Sequence, residues 1–173
     1  MILALRAWLA PGLAVMAVGC AQLPASNQDT LSGRLAIRVD GQSDRSVSAG
    51  FELSGDAHQG RLVLTGPLGA TAAQAVWAKD VAWLDTGHGR IDYADLDDLA
   101  AAALGERIPM AALFHWLRGQ AWPGAGNAPR GDGVAGFEQV GWRIDLSRWD
   151  EGWLQAQRHA SPVITVRARV ERP

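Results

Sequence analysis

Between Leu31 and Tyr93 apolar residues recur at every second position, in one short segment after another. Leu35, Ile37 and Val39 share one face of Leu31–Val39, with Arg34 and Arg38 on the other. A period of two puts alternate side chains on opposite faces of an extended chain, so this segment predicts a half-buried strand. Val47, Ala49, Phe51 and Leu53 repeat the pattern against Ser46, Ser48, Gly50 and Glu52, and Arg61–Thr65 places Leu62 and Leu64 opposite Val63. Ala70–Trp77, Lys79–Asp85 and Arg90–Tyr93 read as three more short strands. Turn-forming residues separate them: Asp40–Asp44, Gly55-Asp56, Gly66-Pro67-Leu68-Gly69 and Gly87-His88-Gly89. Short strands at close spacing, joined by tight turns, predict an antiparallel sheet able to curl into a barrel.

The period then changes. Leu96, Leu99, Ala100, Ala103 and Leu104 follow helical spacing after Asp95, a capping residue, and Asp97 and Asp98 suit the positive end of the helix dipole. Gly105 ends this helix, and Pro109 suits the first turn of a second one carrying Met110, Leu113, Phe114 and Leu117. Trp122–Gly136, with its prolines and glycines, reads as loop. Strands resume at Phe137–Val140, Trp142–Leu146, Trp153–Arg158 and Val163–Glu171. The expected fold is mainly β, with two helices inserted mid-sheet.

The first residues bound where such a domain works. Met1–Val18 is apolar apart from Arg6 and runs into Gly19-Cys20, the profile of a signal peptide and too short to span a bilayer comfortably. Cys20 is the only cysteine, so it forms no internal disulfide. Its setting after Ala17, Val18 and Gly19 resembles the bacterial lipobox, where the chain is cut before Cys and the new terminus is acylated; Ala17 stands where leucine is usual. Ala21 is not the aspartate that resembles an inner-membrane retention signal, which points to the outer membrane. The expected organisation is a leader over 1–19, a lipidated tether over 20–30 and one domain over 31–173.

Removing residues 1–19 from the 173 leaves 154, enough for a single core. The net charge of −2 becomes −3 with the loss of Arg6, so no basic excess points to nucleic acid. His58, His88, His115 and His159 lack metal-ligand spacing, and no nucleophile elbow or phosphate loop occurs. Asp92, Asp95, Asp97 and Asp98 cluster near His88 and His115, but acids at a helix start are ordinarily caps and dipole partners. No catalytic residue, metal or cofactor is assigned.

Two features invite function. Helices seated loosely over a curled sheet would leave an apolar cavity, with Phe51, Leu62, Leu64, Trp77, Trp83, Leu113, Phe114, Leu117, Trp142 and Ile144 as candidate lining. The same residues would equally fill an ordinary core. Leu68 sits at the tip of a Gly-Pro-Leu-Gly turn, where it either reaches solvent or folds back on the core.

Taken in order, the sequence resembles the LolB family of outer-membrane lipoprotein receptors. The resemblance rests on Cys20, Leu31-Ser32-Gly33-Arg34-Leu35-Ala36-Ile37, Phe51 and Leu62-Val63-Leu64-Thr65-Gly66-Pro67-Leu68-Gly69. Ile108-Pro109, Trp116-Leu117-Arg118-Gly119, Gly141-Trp142 and Ile164-Thr165-Val166-Arg167 extend it over nearly the whole mature chain. It implies an open antiparallel β-barrel under a helical lid, enclosing a cavity for acyl chains. It implies a monomer facing the periplasm that accepts lipoproteins from the soluble carrier LolA and releases them into the inner leaflet of the outer membrane. Gly66, Pro67, Leu68 and Gly69 would then form the family's protruding loop, with Leu68 entering the membrane. A lipid-anchored carrier for another apolar ligand, and a structural lipoprotein without transfer activity, are the alternatives.

Overall fold

The computed structural model describes residues 30–105 and 107–171. The expected leader, Cys20 and the tether as far as residue 29 lie outside the described residues. The strands are β1 (Leu31–Val39), β2 (Val47–Gly55), β3 (Gly60–Thr65), β4 (Thr71–Ala78), β5 (Val81–Asp85) and β6 (Arg90–Tyr93). Helices α1 (Leu96–Leu104) and α2 (Met110–Trp116) follow, then β7 (Asn127–Pro129), β8 (Gly136–Gln139), β9 (Trp142–Asp145), β10 (Trp153–Arg158) and β11 (Ile164–Val170). The alternating segments of the sequence are therefore strands, with boundaries moved by a residue or two. Lys79-Asp80 is a turn rather than the start of β5, because Ala78 pairs with Val81. One strand arises where a loop was expected. Asn127–Pro129 pairs with Phe137–Gln139 at an edge of the sheet, the place in a sheet where proline is tolerated.

All pairings are antiparallel, in the order β6-β5-β4-β3-β2-β1-β11-β10-β9-β8-β7. The sheet is not closed, because β6 and β7 end it without pairing with each other. The chain between these two edges holds α1 and α2, so the helices cover the open side of an unclosed barrel. Asp95 accepts a hydrogen bond from the N–H of Asp98 and starts α1. Gly105, left-handed at φ 72°, ends it and donates its N–H to the Ala101 carbonyl. Pro109 stands one residue before α2, at its N-cap, rather than inside the first turn.

Register divides the barrel into two rims. Thr30, the β2–β3 turn and the β4–β5 turn lie at one rim. The β1–β2, β3–β4, β5–β6, β8–β9 and β10–β11 turns lie at the other. Leu68 is thus at the rim opposite to the one where the domain begins.

Candidate functional site

The interior is half hollow and half solid. A cavity of about 300 Å³ lies between α1, α2 and the strands from β1 to β5. That is the low end of the size of ligand pockets. Its walls are alternate residues of each strand, among them Leu35, Phe51, Leu62, Leu64, Trp77 and Leu84. The helices close it with Leu96, Leu99 and Leu104 from α1 and Leu113, Phe114 and Leu117 at and beyond α2. Thr86 is the one polar side chain among these described lining residues. Apolar walls with no converging hydrogen-bond donors suit a hydrocarbon, which asks for no polar partner.

Two contacts shape the wall. The rings of Trp77 and Phe114 lie 5.4 Å apart, joining the sheet to α2. Trp77 Nε1 donates to the Asp56 carbonyl at 2.7 Å, satisfying the one polar atom of a buried ring. A β carbon at Gly60 would come within 2.5 Å of the Trp77 ring, so glycine there is what lets the indole lie flat on β3. Next to it, the Asp56 carboxyl is held below its ordinary range by the backbone N–H groups of Gln59 and His58.

The other half, from β8 to β11, is filled. Trp116 enters it from the opposite side of α2, fully buried, with its ring 5.7 Å from that of Trp142. Ala156 and Ala168, both fully buried on the inner face, are small side chains in this half of the core. Trp116 Nε1 donates to Gln139 Oε1 at 2.9 Å. The Gln139 amide in turn donates to the carbonyls of Trp122 and Ala125, and its Oε1 accepts the Trp122 N–H. One buried glutamine so pins the helix and the following loop to β8.

Of the ten candidates for cavity lining, Phe51, Leu62, Leu64, Trp77, Leu113, Phe114 and Leu117 are brought together at the cavity. Trp142 and Ile144 are not, because they belong to the filled half: both are buried, Trp142 against Trp116. Trp83 is not either. It is one residue out of phase with Ala82 and Leu84, so it stands on the outer face, with the Arg90 guanidinium 4.9 Å above its ring. Leu35, Ile37, Leu53 and Ala75 also line the cavity and were missed, although the alternation that identified their strands placed them on the inner face.

The helical cover is fastened unevenly. Trp116 ties α2 to β8 through the buried 2.9 Å bond to Gln139, while Arg118 donates to the Phe114 carbonyl at 2.9 Å and to that of Gly55 on β2 at a longer 3.4 Å. On α1, an exposed Asp98–Arg107 pair at 3.5 Å and an Asp97 bond from the Met110 N–H at 3.4 Å are long. Asp95 caps, and Asp92 pairs with Arg90. Among the described residues no three acids, histidines or cysteines are grouped to hold a metal ion.

Leu68 stands 97% exposed at the rim opposite to Thr30. The turn beneath it is ordered by bonds from Gly66 N to Ala70 O and from Gly69 N to Gly66 O, with Gly69 at φ 80°. Pro67 fixes its own φ, and Gly69 takes the left-handed position at no steric cost. The leucine is therefore presented outward by a stiff turn, not folded back on the core. Among the described residues no helix is long and apolar enough to cross a membrane.

The chain matches known proteins along most of its length. The family model described as outer membrane lipoprotein LolB matches residues 27–168. An outer-membrane lipoprotein LolB of Bordetella petrii is 35% identical over 97% of this chain and 93% of the relative. The protein of that name in Bordetella pertussis is 38% identical over 80% of this chain and 75% of its own. That in Alkalilimnicola ehrlichii is 31% identical over 75% and 66%. A match of this extent, on an open barrel with a helical cover and an apolar hollow, makes the chain a member of the LolB family of outer-membrane lipoproteins.

Proposed function

We propose that the cavity holds the acyl chains of lipoproteins received from the periplasmic carrier LolA, and that the domain, as a monomer, passes them into the inner leaflet of the outer membrane. Family membership already puts the chain in lipoprotein localisation at that membrane. The observation that carries the finer reading is the hollow itself: a space of about 300 Å³ walled, Thr86 aside, by apolar side chains. A water-filled space with such walls is unfavourable, and acyl chains would remove that cost. Handover needs no nucleotide provided each acceptor binds the chains better than its donor. Lipid on Cys20 holds the domain at the membrane, and Leu68 is the point that enters the bilayer. Burying one leucine contributes about 1.5–3 kcal/mol, enough to bias a contact and too little to anchor one.

Photo-crosslinkers at Leu64 and Phe114, inside the cavity, test this against one at Ile144, in the filled half. During transfer from the carrier, the first two should capture acyl chains and the third should not. Equal capture at all three positions, or none at Leu64 and Phe114, removes the cavity from the mechanism.

A further inference from the structure

Gln139 pairs with Trp142, so Val140-Gly141 is a two-residue turn between β8 and β9. Both residues have positive φ, 45° and 80°. This is the pattern of a type I′ hairpin, which favours Asn-Gly. A β-branched residue is among the poorest choices for its first position, since its Cβ crowds the backbone there. Burial does not repay the strain, because Val140 remains 44% exposed. In the Lys79-Asp80 turn on the opposite rim only the second residue has positive φ, 59°, and it is an aspartate, which tolerates it.

Position gives the valine a use. Register puts the Val140 tip and the Leu68 tip on the same rim, on separate hairpins. The groove beside Val140 is lined by Asn127, Glu138, Arg143 and His159. An apolar tip backed by polar side chains matches the boundary between acyl chains and headgroups. We propose that Val140 is a second lipid-contacting tip, so that the rim docks on a phospholipid bilayer at two places. This rests on the reading that Leu68 enters the bilayer. Two contacts on one rim hold the barrel upright, where a single leucine would leave it free to rock.

Cys20 is the only cysteine, and acylation consumes its thiol, so an introduced cysteine can be labelled alone in the full chain. Single Cys variants at positions 68, 81 and 140, carrying an environment-sensitive fluorophore, would be placed in phosphatidylethanolamine–phosphatidylglycerol vesicles containing nitroxide lipids. Val81, 44% exposed on the other rim, is the control. Quenching at 140 and at 68 should each be at least twice that at 81. Quenching at 68 with 140 equal to 81 overturns the second tip and leaves the Leu68 reading standing. Quenching at 140 with 68 equal to 81 overturns the Leu68 reading and keeps Val140 as a contact; 68 and 140 both equal to 81 overturns both. Val140→Asn gives an independent check. Relief of strain should raise the melting temperature by about 2–4 °C while lipoprotein insertion falls severalfold. A stabilised Val140→Asn variant that inserts lipoprotein at the normal rate overturns the proposal.

Discussion

Leu68 and Phe114 are both large apolar residues, yet the structure gives them opposite situations. Leu68 is almost wholly exposed on a turn stiffened by Pro67 and Gly69, while Phe114 is buried against Trp77 at the cavity wall. The two should therefore separate genetically. Leu68→Glu puts a charge on the exposed tip proposed to enter the bilayer, and leaves the cavity intact. We expect it to bind lipoprotein at normal stoichiometry but to insert it into liposomes at least tenfold more slowly. Insertion at the normal rate would take Leu68 out of the mechanism. Residue by residue, the turn was legible in Gly66-Pro67-Leu68-Gly69, because proline and glycine restrict the backbone locally. Whether its leucine pointed outward was not, since that depends on the angle at which β3 and β4 leave the sheet.

At the scale of elements, alternation was readable in strands such as β1, β2 and β11, which are buried on one face only. Inner positions such as Leu35, Ile37, Phe51 and Leu53 keep a strict period of two. The short β7 was not readable, since Pro129 argues against a strand and three residues show no period. Nor could the sequence show which half of the barrel is hollow. That is decided by Trp116, which leaves α2 on the side away from Phe114 and fills the space beside Trp142. Hence Trp142 and Ile144 looked like equal candidates with Leu62 and Leu64. The helical cover should also move unevenly. α2 is held by the short, buried Trp116–Gln139 bond, whereas α1 is rich in alanine and held by long polar contacts. Opening of α1 should therefore cost less than opening of α2. In hydrogen exchange without cargo, the amides of Leu99–Leu104 should exchange at least tenfold faster than those of Leu113–Trp116. Equal protection would mean the cover moves as one piece or not at all.

For the whole molecule, the geometry of the two rims sets a requirement on the tether. The domain begins at Thr30 on one rim, and Leu68 lies on the other. The nine residues of β1 span about 30 Å at roughly 3.4 Å each. The eleven residues from Cys20 to Thr30 reach at most about 36–40 Å when fully extended. An anchor on Cys20 thus has just enough chain to let the Leu68 rim face the bilayer. Deleting residues 22–27 leaves about 18 Å of reach. That variant should stay membrane-bound and still take lipoprotein, yet insert it several times more slowly; an unchanged rate would show that the domain lies on its side. The proposed handover requires hydrocarbon to occupy the hollow between β1–β5 and the helices. The most direct measurement is paramagnetic broadening of methyl resonances by a lipopeptide with a nitroxide in its acyl chain. Methyls of Leu62, Leu64 and Leu113 should broaden most and those of Ile144 and Leu154, in the filled half, least; stronger broadening of Ile144 and Leu154 than of Leu62, Leu64 and Leu113 would contradict it.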